Sequence, residues 1–267
     1  MSKIFFKDKR VWISGASSGI GEQLALQLAG QGAKLILSAA PQDDTERVKI
    51  LCEEKGAEVY VLNFDLSRRE DVLKAADHVL EKFQCVDVLI NNGGVSQRSL
   101  AVDTSEEMIR NLMEINYFSH VLITQKLLPC MIAKGGGHIA VTSSISGKFG
   151  FPLRSIYSSA KHALHGYFET LMFELKDKGI KVTIVCPGRV KTNISVNALV
   201  GDDKRHGLMD PGQAHGISAE KCAAKYLSAI EKGKKEILIG GKELNMVFFK
   251  RFIPKFFYFV ASKIADK

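Results

Sequence analysis

Seven short apolar segments recur along the chain, and each of the first six is followed by a stretch of helical spacing. They are "RVWISG", "KLILSA", "EVYVLNF", "VDVLIN", "GHIAVTSS", "KVTIVCPG" and "EILIG". A strand that is apolar on both faces has to be covered on both faces, and the intervening helices are the natural cover. The pattern predicts an α/β fold: a Rossmann-type, doubly wound parallel sheet of about seven strands in three α/β/α layers. The long helices are expected across about 104–133, 155–178 and 218–232. The second helical segment, "DDTERVKILCEEKG", opens on acids and ends in Lys-Gly, which suits the charges and the stop of a helix.

With 267 residues, 46% of them hydrophobic, the chain can bury one large core. No linker divides it. The expected organisation is one domain over 1–242, with a mobile lid at about 190–217, and an amphipathic extension of the same domain over 243–267. "MSKIFFKDKRVWISG" lacks the apolar core of a secretory leader, and no run approaches the roughly 18 apolar residues of a membrane span. Cys52, Cys85, Cys130, Cys186 and Cys222 are scattered, with no C-x-x-C pair. They are expected to be reduced, mostly buried thiols in a cytoplasmic protein, and no metal site is expected.

"SGASSGIG" follows the first strand and opens the first helix. Gly15, Gly19 and Gly21 allow a sharp turn and a close backbone approach to a pyrophosphate. The free N–H groups and positive dipole end of the helix favour that anion. Ser17, Ser18 and Ile20 complete the loop. After the second strand, an acid selects NAD and a base selects NADP. Here Ser38, Ala39 and Ala40 carry neither charge, and Asp43 and Asp44 are expected to start the next helix.

The chain resembles the short-chain dehydrogenase/reductase family from about residue 8 to 240. The motifs "SGASSGIG", "NNGG" (91–94), "EIN" ending at Asn116, "TSSISG" with Ser144, "YSSAK" with Tyr157 and Lys161, and "PGRVKT" (187–192) stand in the family's order. Ser14 replaces the usual threonine and keeps its hydroxyl. Gly93 stands where the family usually has alanine. Ala40 replaces an arginine common in NADP-using relatives.

The resemblance implies an NAD(P)-dependent oxidoreductase acting on C=O and CH–OH groups, with NADP(H) slightly ahead of NAD(H). Tyr157 is then the proton donor or acceptor. Its ordinary pKa of about 10 is too high for an efficient base near neutrality, and Lys161, one helical turn away, would favour the phenolate. Ser144 would hold the substrate oxygen, and Asn116 a water that links Lys161 to solvent. Lys161 would also bind the nicotinamide ribose. By the same resemblance Asp65 and Leu66 meet the adenine, with a helix N-cap near Arg69 as the competing role for Asp65. Asn92 and Gly93 line the adenosine ribose side, and Pro187, Gly188, Val190 and Thr192 hold the carboxamide end. Subunits of the family form homodimers or homotetramers.

"MVFFKRFIPKFFYFV" (246–260) holds seven of the chain's 22 aromatic residues, interleaved with Lys250, Arg251 and Lys255. Phe248, Phe252, Phe256 and Phe259 share a helical face that Pro254 bends or splits. The segment is too short and too charged to span a bilayer. It reads as a peripheral contact with the cytoplasmic face of a membrane, a subunit contact, or a wall of the substrate pocket. The resemblance of this tail to the steroid- and retinoid-handling branch implies a lipophilic carbonyl or secondary alcohol as substrate. A 3-oxoacyl-thioester reductase is the second reading, with Arg98 or Lys148 attracting an acidic carrier. A catalytically silent nucleotide-binding scaffold is the third. Net charge is +8, yet no nucleic-acid motif accompanies it, and no nucleic-acid partner is expected.

Overall fold

The computed structural model describes residues 5–200 and 205–265. The chain runs β1 (Arg10–Ser14), α1 (Gly19–Ala29), β2 (Lys34–Ser38), α2 (Thr45–Glu53), β3 (Val59–Val61), α3 (Arg69–Phe83) and β4 (Val88–Asn91). It continues α4 (Glu106–Met113), α5 (Ser119–Ala133), β5 (Gly137–Thr142), α6 (Ser155–Glu174) and β6 (Ile180–Pro187). Short β7 (Val190–Lys191), α7 (Pro211–Ala214) and β8 (Ile217–Ser218) lead to α8 (Ala219–Glu231) and β9 (Glu236–Ile239). The helices α9 (Asn245–Phe252) and α10 (Pro254–Ala265) follow.

Seven strands form one parallel sheet in the order β3-β2-β1-β4-β5-β6-β9, and β7 pairs with β8 apart from it. Strand order reverses between β1 and β4. The loops leaving those strands diverge there and open a crevice at the strands' carboxyl ends. One core lies where Leu24, Leu28, Val48, Tyr226 and Ile230 pack on one face of the sheet. The other joins Trp12, Val79, Leu127, Leu164 and Phe168 on the opposite face.

The helix expected across 104–133 is interrupted. A π-helical turn at Glu114–Phe118 separates α4 from α5. Asn116 fills the widened turn, and its amide donates to the Leu112 carbonyl at 3.1 Å. The expectation of five free thiols is corrected. Cys85, just beyond α3, and Cys130, on α5, form a disulfide with their Cα atoms 5.7 Å apart. The two helices pack against each other, which brings together cysteines separated by 45 residues; spacing in the sequence does not reveal that. Cys52, Cys186 and Cys222 are free and buried, and burial pushes their thiols up to about 11, 12 and 12.

Pro254 splits the extension as expected, because it cannot continue α9. Phe257 is buried with its ring edge-on to Phe149 at 5.2 Å. Phe248, Phe252, Phe256 and Phe259 are all exposed.

Candidate active site

The glycine loop between β1 and α1 is shaped by close backbone contacts. Gly15 and Gly19 have φ of +67° and +60°, where a side chain is strained. A Cβ on Gly15 would lie 2.6 Å from Gly93 Cα, and one on Gly21 only 1.9 Å from the Gly15 carbonyl oxygen. Ser14 Oγ accepts from the Asn92 and Gly93 amides at 3.0 Å each, so the hydroxyl kept at this position ties β1 to β4. Asn92 Nδ2 donates to the Ser14 and Gly15 carbonyls at 3.2 Å, and Asn92 Oδ1 accepts from Thr142 at 3.1 Å.

The crevice encloses about 330 Å³. Its walls include Gly15, Ser17, Ser18, Gly19, Ile20, Ser38, Asp65, Leu66, Asn92, Gly93, Asn116, Tyr157, Lys161 and Thr192, all candidates from the sequence. Gly21, Ser144, Pro187, Gly188 and Val190 are not among its wall residues. Gly21 is packed against Gly15, Val190 is buried in the β7–β8 pairing, and the Pro187 carbonyl accepts from Ser144 Oγ at 3.4 Å. Asp65 is not the cap of α3, whose N-cap is Arg68. Its Oδ1 accepts from the Ser67 amide and hydroxyl at 2.8 and 2.7 Å. Ser38 accepts from the Trp12 indole at 2.8 Å.

Tyr157 and Lys161 lie on α6 and are 7% and 3% exposed. Burial is the largest influence on both. It pushes the Tyr157 phenol up, against opposing pulls from the nearby Arg154 charge and Ser144 hydroxyl. It pushes Lys161 down to about 7. The Lys161 ammonium donates to the Thr142 carbonyl at 2.9 Å and stands 5.7 Å from the centre of the Tyr157 ring. Asn116 Oδ1 accepts from the Val95 amide at 3.2 Å, and its Nδ2 donates to the Val95 carbonyl at 3.0 Å. A Cβ on Gly94 would sit 2.7 Å from Asn116 Oδ1 and 3.5 Å from Lys161 Nζ, so this glycine leaves room between them.

Four features were not read from the sequence. Gln97 is fully buried; its Oε1 accepts from the Ile156 and Tyr157 amides at 2.8 and 3.1 Å. It satisfies the start of α6, whose N-cap residue Arg154 makes no side-chain cap, and so fixes the turn that carries Tyr157. His120 is buried near Lys161 and Gly93, and burial lowers it to about 3, so it is neutral. Asp43 was expected to start α2 with Asp44. Asp44 is indeed the cap, accepting from the Arg47 amide at 3.1 Å. Asp43 instead lines the crevice and accepts from Ser17 Oγ at 2.8 Å. Finally, ligand atoms of His165, Cys186 and Glu236 lie within 4.8 Å of one another, among residues where no metal was expected. Lys148 Nζ reaches Glu236 at 2.5 Å and His165 at 3.2 Å, so an ammonium supplies the positive charge there. None of the four has a local sequence signature: Asp43 pairs with Ser17 26 residues away, Gln97 with Ile156 59 away, and Lys148 with Glu236 88 away.

The family model for short chain dehydrogenases matches residues 9–201. The chain belongs to the short-chain dehydrogenase/reductase family. Dehydrogenase/reductase SDR family member 7B of Mus musculus is 36% identical over 271 residues, which covers 100% of this chain and 84% of the mouse protein. A short-chain dehydrogenase/reductase from Burkholderia phymatum in complex with NAD superposes with a TM-score of 0.81 and 26% identity, covering 94% of this chain and 95% of that one. An alcohol dehydrogenase from Thermococcus sibiricus complexed with 5-hydroxy-NADP has a TM-score of 0.74 and 27% identity over 88% and 97%. As a short-chain dehydrogenase/reductase, the chain is an NAD(P)-dependent oxidoreductase with a Rossmann-type fold. The crevice suits a dinucleotide: the glycine loop leaves no room for side chains where phosphates would lie against it, and Asp65, Asn92 and Lys161 line the same cavity.

Proposed function

We propose that this protein transfers a hydride between NAD(H) and a lipophilic ketone or secondary alcohol, with Tyr157 moving the proton. The observation that carries this reading is that Tyr157, Lys161 and Asn116 line one crevice with the glycine loop. Ser17 to Ile20, Asp65, Leu66, Asn92, Gly93 and Thr192 would hold the cofactor, which supplies or accepts the hydride. Tyr157 gives its proton to the carbonyl oxygen as that oxygen gains charge, and takes it back in the oxidation direction. Ser144 donates a hydrogen bond to the same oxygen. Lys161 lowers the cost of the phenolate when charged, and Asn116 ties the loop at Val95, beyond β4, to the widened helical turn beside it. Gln97 positions Tyr157 by fixing the first turn of α6.

The family resemblance put NADP(H) slightly ahead, although Ala40 lacks the arginine of NADP-using relatives; the Asp43 carboxylate supports NAD(H). It faces the crevice beside Ser38 and Ala40, held by Ser17, and a 2′-phosphate would meet a like charge there. Arg47, the nearby base, is held by Glu22 at 2.8 Å and by the Ser17 carbonyl at 3.2 Å. Val95, Ile115, Ile194 and Leu199 give the rest of the wall an apolar character, which supports the lipophilic substrate. The lid expected at 190–217 contributes Thr192, Asn193, Ile194, Asn197, Leu199 and Arg205 to it.

The extension supports a peripheral membrane contact. Its exposed phenylalanines are accompanied by Lys250, Arg251, Lys255 and Lys263, and no acid stands between residues 245 and 263. Exposed Phe173 on α6 and Phe118 at the π turn favour a subunit contact, in keeping with a homodimer or homotetramer. Against the thioester alternative, Lys148 is taken up by Glu236. Turnover of long-chain ketones and secondary alcohols with both cofactors, in wild type and Tyr157→Phe, tests the reading. Activity surviving in Tyr157→Phe would show the mechanism to be wrong.

A further inference from the structure

Beside Tyr157, just outside the crevice wall, two arginines on the body of the protein share one carboxylate on the lid. Asp210 Oδ2 accepts from Arg154 at 2.9 Å, and its Oδ1 accepts from Arg98. The three side chains are only 19%, 32% and 16% exposed for Arg154, Arg98 and Asp210. Arg154 also donates to Ser96 Oγ, and its guanidinium carbon is 6.0 Å from the centre of the Tyr157 ring. Its charge is felt by the Tyr157 phenol. The two arginine-bearing segments are tied by the Ser99 amide donating to the Leu153 carbonyl at 3.2 Å.

A latch between lid and body needs one ion pair. Here there are two guanidiniums for one carboxylate, both held by the scaffold. Leu153, immediately before Arg154, has φ of +63°, a conformation unfavourable for leucine. The surrounding contacts sustain that strain and set Arg154 facing inward. Guanidinium forks bind carboxylate or phosphate oxygens in pairs, and two of them seat a two-oxygen anion in a fixed orientation. Arg205 adds a further cation to the wall.

Resting on the oxidoreductase reading above, we infer that Arg98 and Arg154 form a seat for an anionic group, carboxylate or phosphate, carried by an otherwise apolar ketone or alcohol. Asp210 occupies that seat when the substrate is absent. The substrate anion displaces Asp210 from the arginines, and the lid carrying Asp210 moves with it. The substrate class is thus an amphiphile: a charged head near the carbonyl and an apolar chain along Val95, Ile115, Ile194 and Leu199.

The test is calorimetric titration of the full-length, NADH-loaded protein with decanoate, decyl phosphate and methyl decanoate, each below its aggregation threshold. The anions are expected to bind at least tenfold tighter than the ester, and the stronger of the two identifies the head group. Arg98→Gln and Arg154→Gln should each weaken anion binding at least tenfold, a loss at least fivefold larger than for the ester. Asp210→Asn should tighten anion binding at least threefold, because the internal competitor is gone. Equal affinity for ester and anions in the wild type would overturn the inference. So would weaker anion binding in Asp210→Asn, which marks the cluster as a lid latch. Should Arg154→Gln fail to fold, Arg98→Gln and Asp210→Asn still decide. If these affinities hold but no ketone is turned over, the anion seat stands and the oxidoreductase substrate reading fails.

Discussion

Replacing Lys161 by methionine should destroy activity and yet stabilise the cofactor-free protein. Lys161 is 3% exposed, its ammonium has one hydrogen bond to the Thr142 carbonyl, and burial lowers its pKa from 10.5 to about 7. At about 1.36 kcal/mol per pH unit, discharging this amine on folding at pH 7 costs about 4–5 kcal/mol. Methionine removes that cost but leaves the Thr142 carbonyl short of a donor, a loss of about 1 kcal/mol. The net gain at pH 7 is about 3 kcal/mol. With an unfolding entropy of about 2.1 cal/mol/K per residue, that is about 5 °C in Tm. The sign with pH follows from proton counting. Between about pH 7 and 10.5 the unfolded chain carries a proton on Lys161 that the folded protein lacks, so wild-type stability rises with pH across that window. The variant lacks this slope, and the gap between the two proteins should shrink to under about 1 kcal/mol by pH 10. Urea unfolding of both proteins at pH 7, 8.5 and 10 measures it. A variant less stable than wild type at pH 7, or a gap that does not change with pH, would refute the reasoning.

Further outcomes follow from the same geometry. Tyr157→Phe should lower kcat by at least about 10³-fold while NADH affinity, read by fluorescence titration, changes less than about threefold. Asp43→Asn should raise kcat/KM for NADPH relative to NADH by about tenfold, as expected for removal of about 1.4 kcal/mol of like-charge repulsion. An unchanged ratio would remove Asp43 from cofactor selection. Gly21→Ala should cost at least tenfold in cofactor affinity, because its Cβ would fall 1.9 Å from the Gly15 carbonyl oxygen and the loop must move. Phe252→Ser combined with Phe259→Ser should release the protein from anionic phosphatidylserine vesicles in a sedimentation assay. Wild type that ignores such vesicles would end the membrane reading of the extension.

The fold was legible because it depends on local pattern. Apolar strand segments, helical spacing and a glycine loop repeat in order, and each is set by chemistry within a few residues. All seven sheet strands fall on segments expected from the sequence. The candidate residues Asn116, Tyr157 and Lys161 were legible through their motifs, and the structure brings them to one wall; Ser144 lies outside that wall and bonds to Pro187 and Ser146. The break at Glu114–Phe118 was not placed by local spacing, because it is held by Asn116 bonding to Val95, 21 residues earlier.

Charge and packing between distant segments belonged to the tertiary structure alone. Whether Lys161 is a solvated ammonium or a discharged amine depends on what buries it. Whether Asp43 caps a helix or faces the crevice depends on Ser17, 26 residues earlier. The Cys85–Cys130 bridge, the support of Tyr157 by Gln97, and the pairing of Arg98 and Arg154 with Asp210 join residues 45 to 112 positions apart. The sequence specifies these contacts only through the packing of whole helices and strands, so the electrostatics of the site appear when those elements meet.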